Sequence, residues 1–178
     1  MEGSTALTQR LGDAKAQDVL RAHNAIIRDA LAANRGSETK HTGDGIMASF
    51  GSAARALECA VAIQRAFATP DSAESATTPL PAHPEASKER AEHSAPVRVR
   101  IGLNAGEPVA EDGDLFGATV QLAARVCNRA EPGQILVSNV VRELAMGKGF
   151  LFADIGDVTL KGFEGPIRLY EVRWDSSN

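Results

Sequence analysis

The 178-residue sequence is poor in cysteine: Cys59 and Cys127 stand alone, with neither the paired spacing of a zinc site nor the even framework of a small secreted domain. A zinc centre and a disulfide scaffold are thereby set aside, and a reducing cytoplasm is the expected compartment. Long apolar runs are missing too. None approaches the roughly 20 residues that a bilayer-spanning helix needs, and the opening Met1-Glu2-Gly3-Ser4-Thr5 has neither the basic nor the apolar region of a signal peptide. Membrane insertion is not expected. Lysine and arginine nowhere cluster, and a formal net charge of −4 leaves no basic footprint for nucleic acid or an anionic lipid surface. Internal repeats are absent as well.

What is there is a chain with 43% hydrophobic and 24% charged residues, which predicts a single globular domain over residues 1–178. Val19, Leu20, Ile26, Ile27, Ala30 and Leu31 recur at helical spacing between Asp13 and Arg35, with Arg21, Arg28 and Asp29 mostly on the other side, and Gly36 ends the helix. Glu38 to Lys40 and Ile46 to Phe50 read as two short strands around a Gly43-Asp44-Gly45 turn. Ser52 is the expected cap of a core helix carrying Ala53, Ala56, Leu57, Ala60, Ile63 and Phe67 on one face. From Thr69 to Pro96 the composition shifts to Ala, Ser, Thr, Glu and Pro, as in a flexible surface insertion. Val97 to Leu103 alternates as a half-buried strand, and a second strand follows near Glu107 to Ala110. Gly117 to Arg129 reads as a helix, Gln134 to Val137 as a strand, and Ser138 to Met146 as another capped helix. Three apolar stretches follow, around Phe150–Phe152, Val158–Leu160 and Ile167–Val172. The pattern predicts an α+β fold, an antiparallel-rich sheet with packed helices, which many functions share.

Four segments choose among those functions by their order and spacing: Glu2-Gly3-Ser4-Thr5, Lys40-His41-Thr42-Gly43-Asp44-Gly45, Asp114-Leu115-Phe116-Gly117 through Arg125, and Leu160-Lys161-Gly162. Together they resemble the class III adenylyl and guanylyl cyclases, closest to the bacterial cytoplasmic members, over nearly all of the chain except the 69–96 insertion. The resemblance implies a ferredoxin-like cyclase fold and cyclisation of a purine nucleoside triphosphate, by in-line attack of the ribose 3′ hydroxyl on the α-phosphate. It also implies roles residue by residue. Asp44 matches the second of two aspartates that bridge two divalent ions, Mg2+ or Mn2+, which favour carboxylate and phosphate oxygens. Gly3, Ser4 and Thr5 match a phosphate-binding helix start, where free N–H groups suit an anion. Lys40 and Asp114 match the base-selecting pair of adenylyl cyclases: lysine only donates, to adenine N1, and ionised aspartate only accepts, from the 6-amino group. ATP is therefore the expected substrate. Arg125 matches the transition-state arginine and Lys161 the triphosphate lysine, while Gln121 stands where the family usually has a ribose-orienting asparagine. Because the family divides its ligands between two subunits, a head-to-tail homodimer, or a heterodimer with another cyclase domain, is expected.

The largest departure is at the start. The family's first metal aspartate closes a strand ending Phe-Thr-Asp just before the Gly-Ser-Thr segment, and Met1 here falls between the two. The resemblance implies either a start upstream of Met1, the preferred reading, or a natively cut chain that has lost cyclase activity, and it predicts poor stability and weak or no activity for residues 1–178 by themselves, since a central strand contributes several buried side chains at ~1.5–3 kcal/mol each. The missing aspartate and Gln121 leave one alternative open: a catalytically inactive cyclase homology domain that acts as a dimerising or nucleotide-binding regulatory module.

Overall fold

A computed structural model describes residues 13–41, 45–69 and 98–175. The chain runs as α1 (Asp13–Ala33), β1 (Ser37–His41), β2 (Ile46–Ser49) and α2 (Ala53–Ala68), then β3 (Ile101–Leu103), β4 (Val109–Glu111), β5 (Asp114–Phe116) and α3 (Ala118–Arg129). It ends with β6 (Ile135–Ser138), α4 (Asn139–Leu144), β7 (Leu151–Thr159) and β8 (Pro166–Arg173). None of the helices among the described residues is long and apolar enough to cross a membrane. Apart from Thr69, the insertion read over 69–96 lies outside the described residues.

The centre is a four-stranded sheet in the order β3-β6-β8-β7, with β3 parallel to β6 and the other pairs antiparallel. All four residues of β6 are buried because helices cover both faces. Ile135 and Val137 face Leu57 and Ala60 of α2 and Val141 of α4, whereas Leu136 faces Val126 of α3, with Leu160 and Leu169. The β1–β2 hairpin makes a sheet of its own, as does β4–β5. The first hairpin lies over a third cluster, in which Ile46, Ala48 and Phe50 pack on Leu31, Cys59, Ile63 and Val99.

Several local expectations need correcting. Gly36 does close α1, its N–H on the Leu31 carbonyl at 2.8 Å, but the residue that turns left-handed is Arg35 (φ 57), and Gly36 is needed for space as well: a Cβ there would lie 2.5 Å from the Phe50 ring. Ser52 and Ser138 occupy N-cap positions, yet neither side chain caps its helix. The Ser138 hydroxyl donates instead to Asn104 Oδ1 at 2.7 Å. Of the strand read over Val97–Leu103, Val97 lies outside the described residues, and the rest is regular only from Ile101 to Leu103, although buried Val99 continues its inward face. The stretches around Phe150 and Val158 belong to a single nine-residue strand, β7, that shifts register between Asp154 and Gly156. The Asp154 carboxylate accepts the Gly156 N–H there, and Gly156 takes φ 89.

Candidate active site

The first site element is a hairpin, of which the sequence pattern shows only the strand near Glu107 to Ala110. Asp112 (φ 50) and Gly113 (φ 79) form a two-residue turn with both positions left-handed, the arrangement whose twist matches a hairpin. It pairs Val109–Glu111 with Asp114–Phe116, so that Asp114 opens β5. Its carboxylate accepts the Leu115 N–H at 2.8 Å through one oxygen and meets Lys40 Nζ of β1 at 2.6 Å through the other. The lysine ammonium, and after it the Leu115 N–H, hold the Asp114 carboxyl below its ordinary range. The same ammonium stands 5.9 Å from the centre of the Phe116 ring. Two residues 74 positions apart in sequence, on separate hairpins, thus form one donor–acceptor pair.

Gln121 and Arg125 stand four apart on α3 and share its exposed face, while Val126 points inward. Two glycines and an asparagine fix where that helix sits. A Cβ at Gly102 would come within 2.1 Å of the Cys127 amide nitrogen, so only glycine lets α3 lie against β3. Gly106 gives similar clearance to Thr119, whose hydroxyl would be 2.6 Å from a Cβ there. Asn104 donates to the Thr119 carbonyl at 3.1 Å while it accepts from Ser138, tying the first turn of α3 to the end of β6. Lys161 follows buried Leu160 in a turn closed by the Phe163 N–H on the Leu160 carbonyl at 3.2 Å, with Gly162 at φ 89. Arg125 and Lys161 are exposed, and neither side chain has a hydrogen bond or ion pair among the described residues.

The structure therefore brings Lys40 and Asp114 together, and places Gln121, Arg125 and Lys161 on the surface without joining them to that pair. Gly3, Ser4, Thr5 and Asp44 lie outside the described residues. Among the described residues no group of three or more His, Cys, Asp or Glu side chains could hold a metal ion. Sequence reading missed Asn104 and the polar ties of α1 to β1. Arg28, placed on the outer side of α1, is exposed but forks onto Glu38, with 2.7 and 3.0 Å contacts. Buried Asn24 reaches His41 at 3.1 Å. Their signal was the i, i+4 spacing of two polar residues on a helix preceding a polar strand.

This arrangement of sheet, hairpins and helices is that of a cyclase catalytic domain. An adenylate cyclase from Trypanosoma brucei solved in its monomeric state superposes with a TM-score of 0.78 at 23% identity, covering 99% of this chain and 87% of that one. The adenylate/guanylate cyclase/hydrolase of Silicibacter pomeroyi superposes with a TM-score of 0.72 at 31% identity, covering 97% and 90%. Residues 1–173 match the adenylate and guanylate cyclase catalytic domain family, and the chain belongs to it. Putative adenylate cyclase 3 of Rhizobium meliloti is 34% identical over 146 residues, which is 82% of this chain but only 22% of that relative's length.

Proposed function

We propose that the domain is an adenylate cyclase, converting ATP to 3′,5′-cyclic AMP and pyrophosphate at a dimer interface, in cyclic-nucleotide signalling. The observation that carries the substrate is the Lys40–Asp114 pair. Its two partners offer one pure donor and one pure acceptor side by side, which complements N1 and the 6-amino group of adenine and opposes the pattern of guanine. Adenine binding would replace a contact the two residues already make with each other. In the reaction the ribose O3′–Pα bond forms, the 3′ hydroxyl proton leaves, and the bond from Pα to the pyrophosphate oxygen breaks. Arg125 would meet charge on the α-phosphate and Lys161 charge on the leaving group. Both are exposed and free of competing partners among the described residues, as residues serving a neighbouring subunit's substrate should be. Gln121, on the Arg125 face, would orient the ribose, and Gly3, Ser4 and Thr5 would cradle phosphate. Asp44 supplies hard carboxylate oxygen that suits Mg2+ or Mn2+, and such ions, when bound, supply Lewis acidity at the phosphates.

The test is product formation from ATP and from GTP with manganese, using the chain as it stands and the chain joined to an upstream strand ending Phe-Thr-Asp. Cyclic AMP in excess of cyclic GMP is expected, with the larger yield from the extended chain. Preferred formation of cyclic GMP would overturn the substrate assignment. A folded dimer of the extended chain that yields neither product would overturn the enzyme.

A further inference from the structure

Strand β1 carries an irregularity whose consequence bears on how the base is read. Its register against β2 runs Ser37↔Ser49 and Glu38↔Ala48, then Lys40↔Met47 and His41↔Ile46, so one extra residue is accommodated between Glu38 and Lys40. In an uninterrupted strand, side chains alternate, and Glu38 and Lys40 would share a face while His41 took the other. The contacts show a different partition. Glu38 and His41, three apart, both reach α1, through Arg28 and Asn24 respectively, whereas Lys40 between them reaches Asp114 of β5. Residues three apart can share a face only where the alternation has been broken once, which is what a bulge does.

The ties on either side of the bulge come from a single face of one helix. Asn24 and Arg28 are four apart on α1, one turn. Arg28 grips Glu38 with Nε and a terminal nitrogen at 2.7 and 3.0 Å, a fork that fixes direction as well as distance. The Asn24 amide group donates to His41 Nε2 at 3.1 Å and its carbonyl accepts from His23 Nδ1 at 3.0 Å. His23 is itself buried against the Phe67 ring, 5.3 Å between centres, so the tie is anchored in the interior rather than in solvent. Beyond its pairing with β2, the strand has little burial to hold it: four of its five residues are exposed and only Thr39 is half-buried.

We propose that Asn24 and Arg28 are positioning residues for purine selection: acting through His41 and Glu38, they clamp the bulged strand on both sides of Lys40 and keep that lysine on the Asp114 face. The inference rests on the adenine-reading role of Lys40 given above. It adds that selectivity is set partly from α1, by residues that touch no nucleotide.

The experiment reads Lys40 without requiring turnover. In the full chain, the Asp114 carboxyl is titrated by carbon-detected NMR in wild type, Lys40→Met, the double variant His41→Ala/Arg28→Met, and His41→Gln. The altered positions are exposed, so the core is untouched. Lys40→Met should raise the Asp114 midpoint. The double variant should raise it by more than half as much, and His41→Gln, whose amide oxygen can still accept from Asn24, should leave it at the wild-type value. Parallel binding of manganese–ATP and manganese–GTP should show the double variant losing preference for ATP while His41→Gln keeps it. A double variant that melts like wild type and leaves the midpoint unmoved, while Lys40→Met moves it, would overturn the clamp alone. No movement in Lys40→Met would remove the Lys40–Asp114 pair, and with it both the clamp and the adenine reading.

Discussion

Strands β6 and β1 are nearly the same length and lie in the same domain, yet their residues answer to opposite demands. In β6 every side chain is buried, and Ile135, Leu136 and Val137 each pack on a helix. In β1 nearly every side chain is exposed, and the strand is held by an arginine fork, an amide bridge and its hairpin partner. Burial is strong and non-directional, so it builds the platform. Hydrogen bonds and ion pairs are individually weaker in water but directional, so they aim Lys40 at Asp114, and under the adenine reading proposed above the two would exchange each other for the base.

The contrast predicts a steep order of effects. Gly102→Ala should be the most damaging change, because its Cβ would meet backbone rather than a movable side chain, 2.1 Å from the Cys127 nitrogen. A loss of about 3 kcal/mol or more is expected, and a wild-type thermal midpoint would show that α3 can shift freely on β3. Leu136→Ala should cost about 2–5 kcal/mol in denaturant unfolding, since Leu136 is buried between α3 and the sheet. Lys40→Met, by comparison, should change the melting temperature by no more than about 2 °C, while ATP binding falls about 10- to 100-fold through loss of a charge-assisted hydrogen bond. A Lys40 variant that unfolds would mean that β1 belongs to the platform after all.

Acid should sharpen the comparison further. Asp114 has its proton affinity lowered in the folded state by the Lys40 ammonium and the Leu115 N–H. A carboxyl so lowered contributes stability above its unfolded value, and that contribution is lost as pH falls through the folded value. The difference in melting temperature between wild type and Lys40→Met should therefore be present at neutral pH and vanish on the acid side of the ordinary carboxylate range. A difference that grew with acid would place the stabilising charge elsewhere. The mildest prediction concerns Cys59, whose thiol is pushed up to about 11 by burial beneath the β1–β2 hairpin. Thiol reagents at pH 8 should leave it unmodified until the domain opens, and rapid labelling of Cys59 would show that the hairpin lifts readily.

The platform was legible because apolar periodicity records burial. Leu57, Ala60 and Ile63 at helical spacing and Ile135-Leu136-Val137 as a short apolar run lead straight to α2 and β6. The candidate site rests on motif resemblance, which named Lys40, Asp114, Gln121, Arg125 and Lys161; of these the structure brings only Lys40 and Asp114 together, by means the motifs did not carry. The bulge in β1 escaped because a mostly exposed strand has no apolar alternation in which a one-residue slip could appear. Strand β5 escaped because three residues are too few for a period, although Asp112-Gly113 is a hairpin signal by its chemistry. Gly36 reads as a helix terminator, and its N–H does close α1 on the Leu31 carbonyl at 2.8 Å; that it also gives clearance to Phe50 lies in tertiary contacts alone.

The 74-residue separation between Lys40 and Asp114 also sets an order in time. Each hairpin closes a short loop and can form within about 1–10 μs by itself, whereas bringing the two together waits on the non-local pairings of the central sheet. A chain that has made its hairpins but not its sheet would hold a lysine and an aspartate with nothing to say about purines. Under the adenine reading proposed above, nucleotide selectivity should thus be the last property to arrive on refolding and the first to leave on unfolding, and discrimination between ATP and GTP would serve as a stopwatch for completion of the fold.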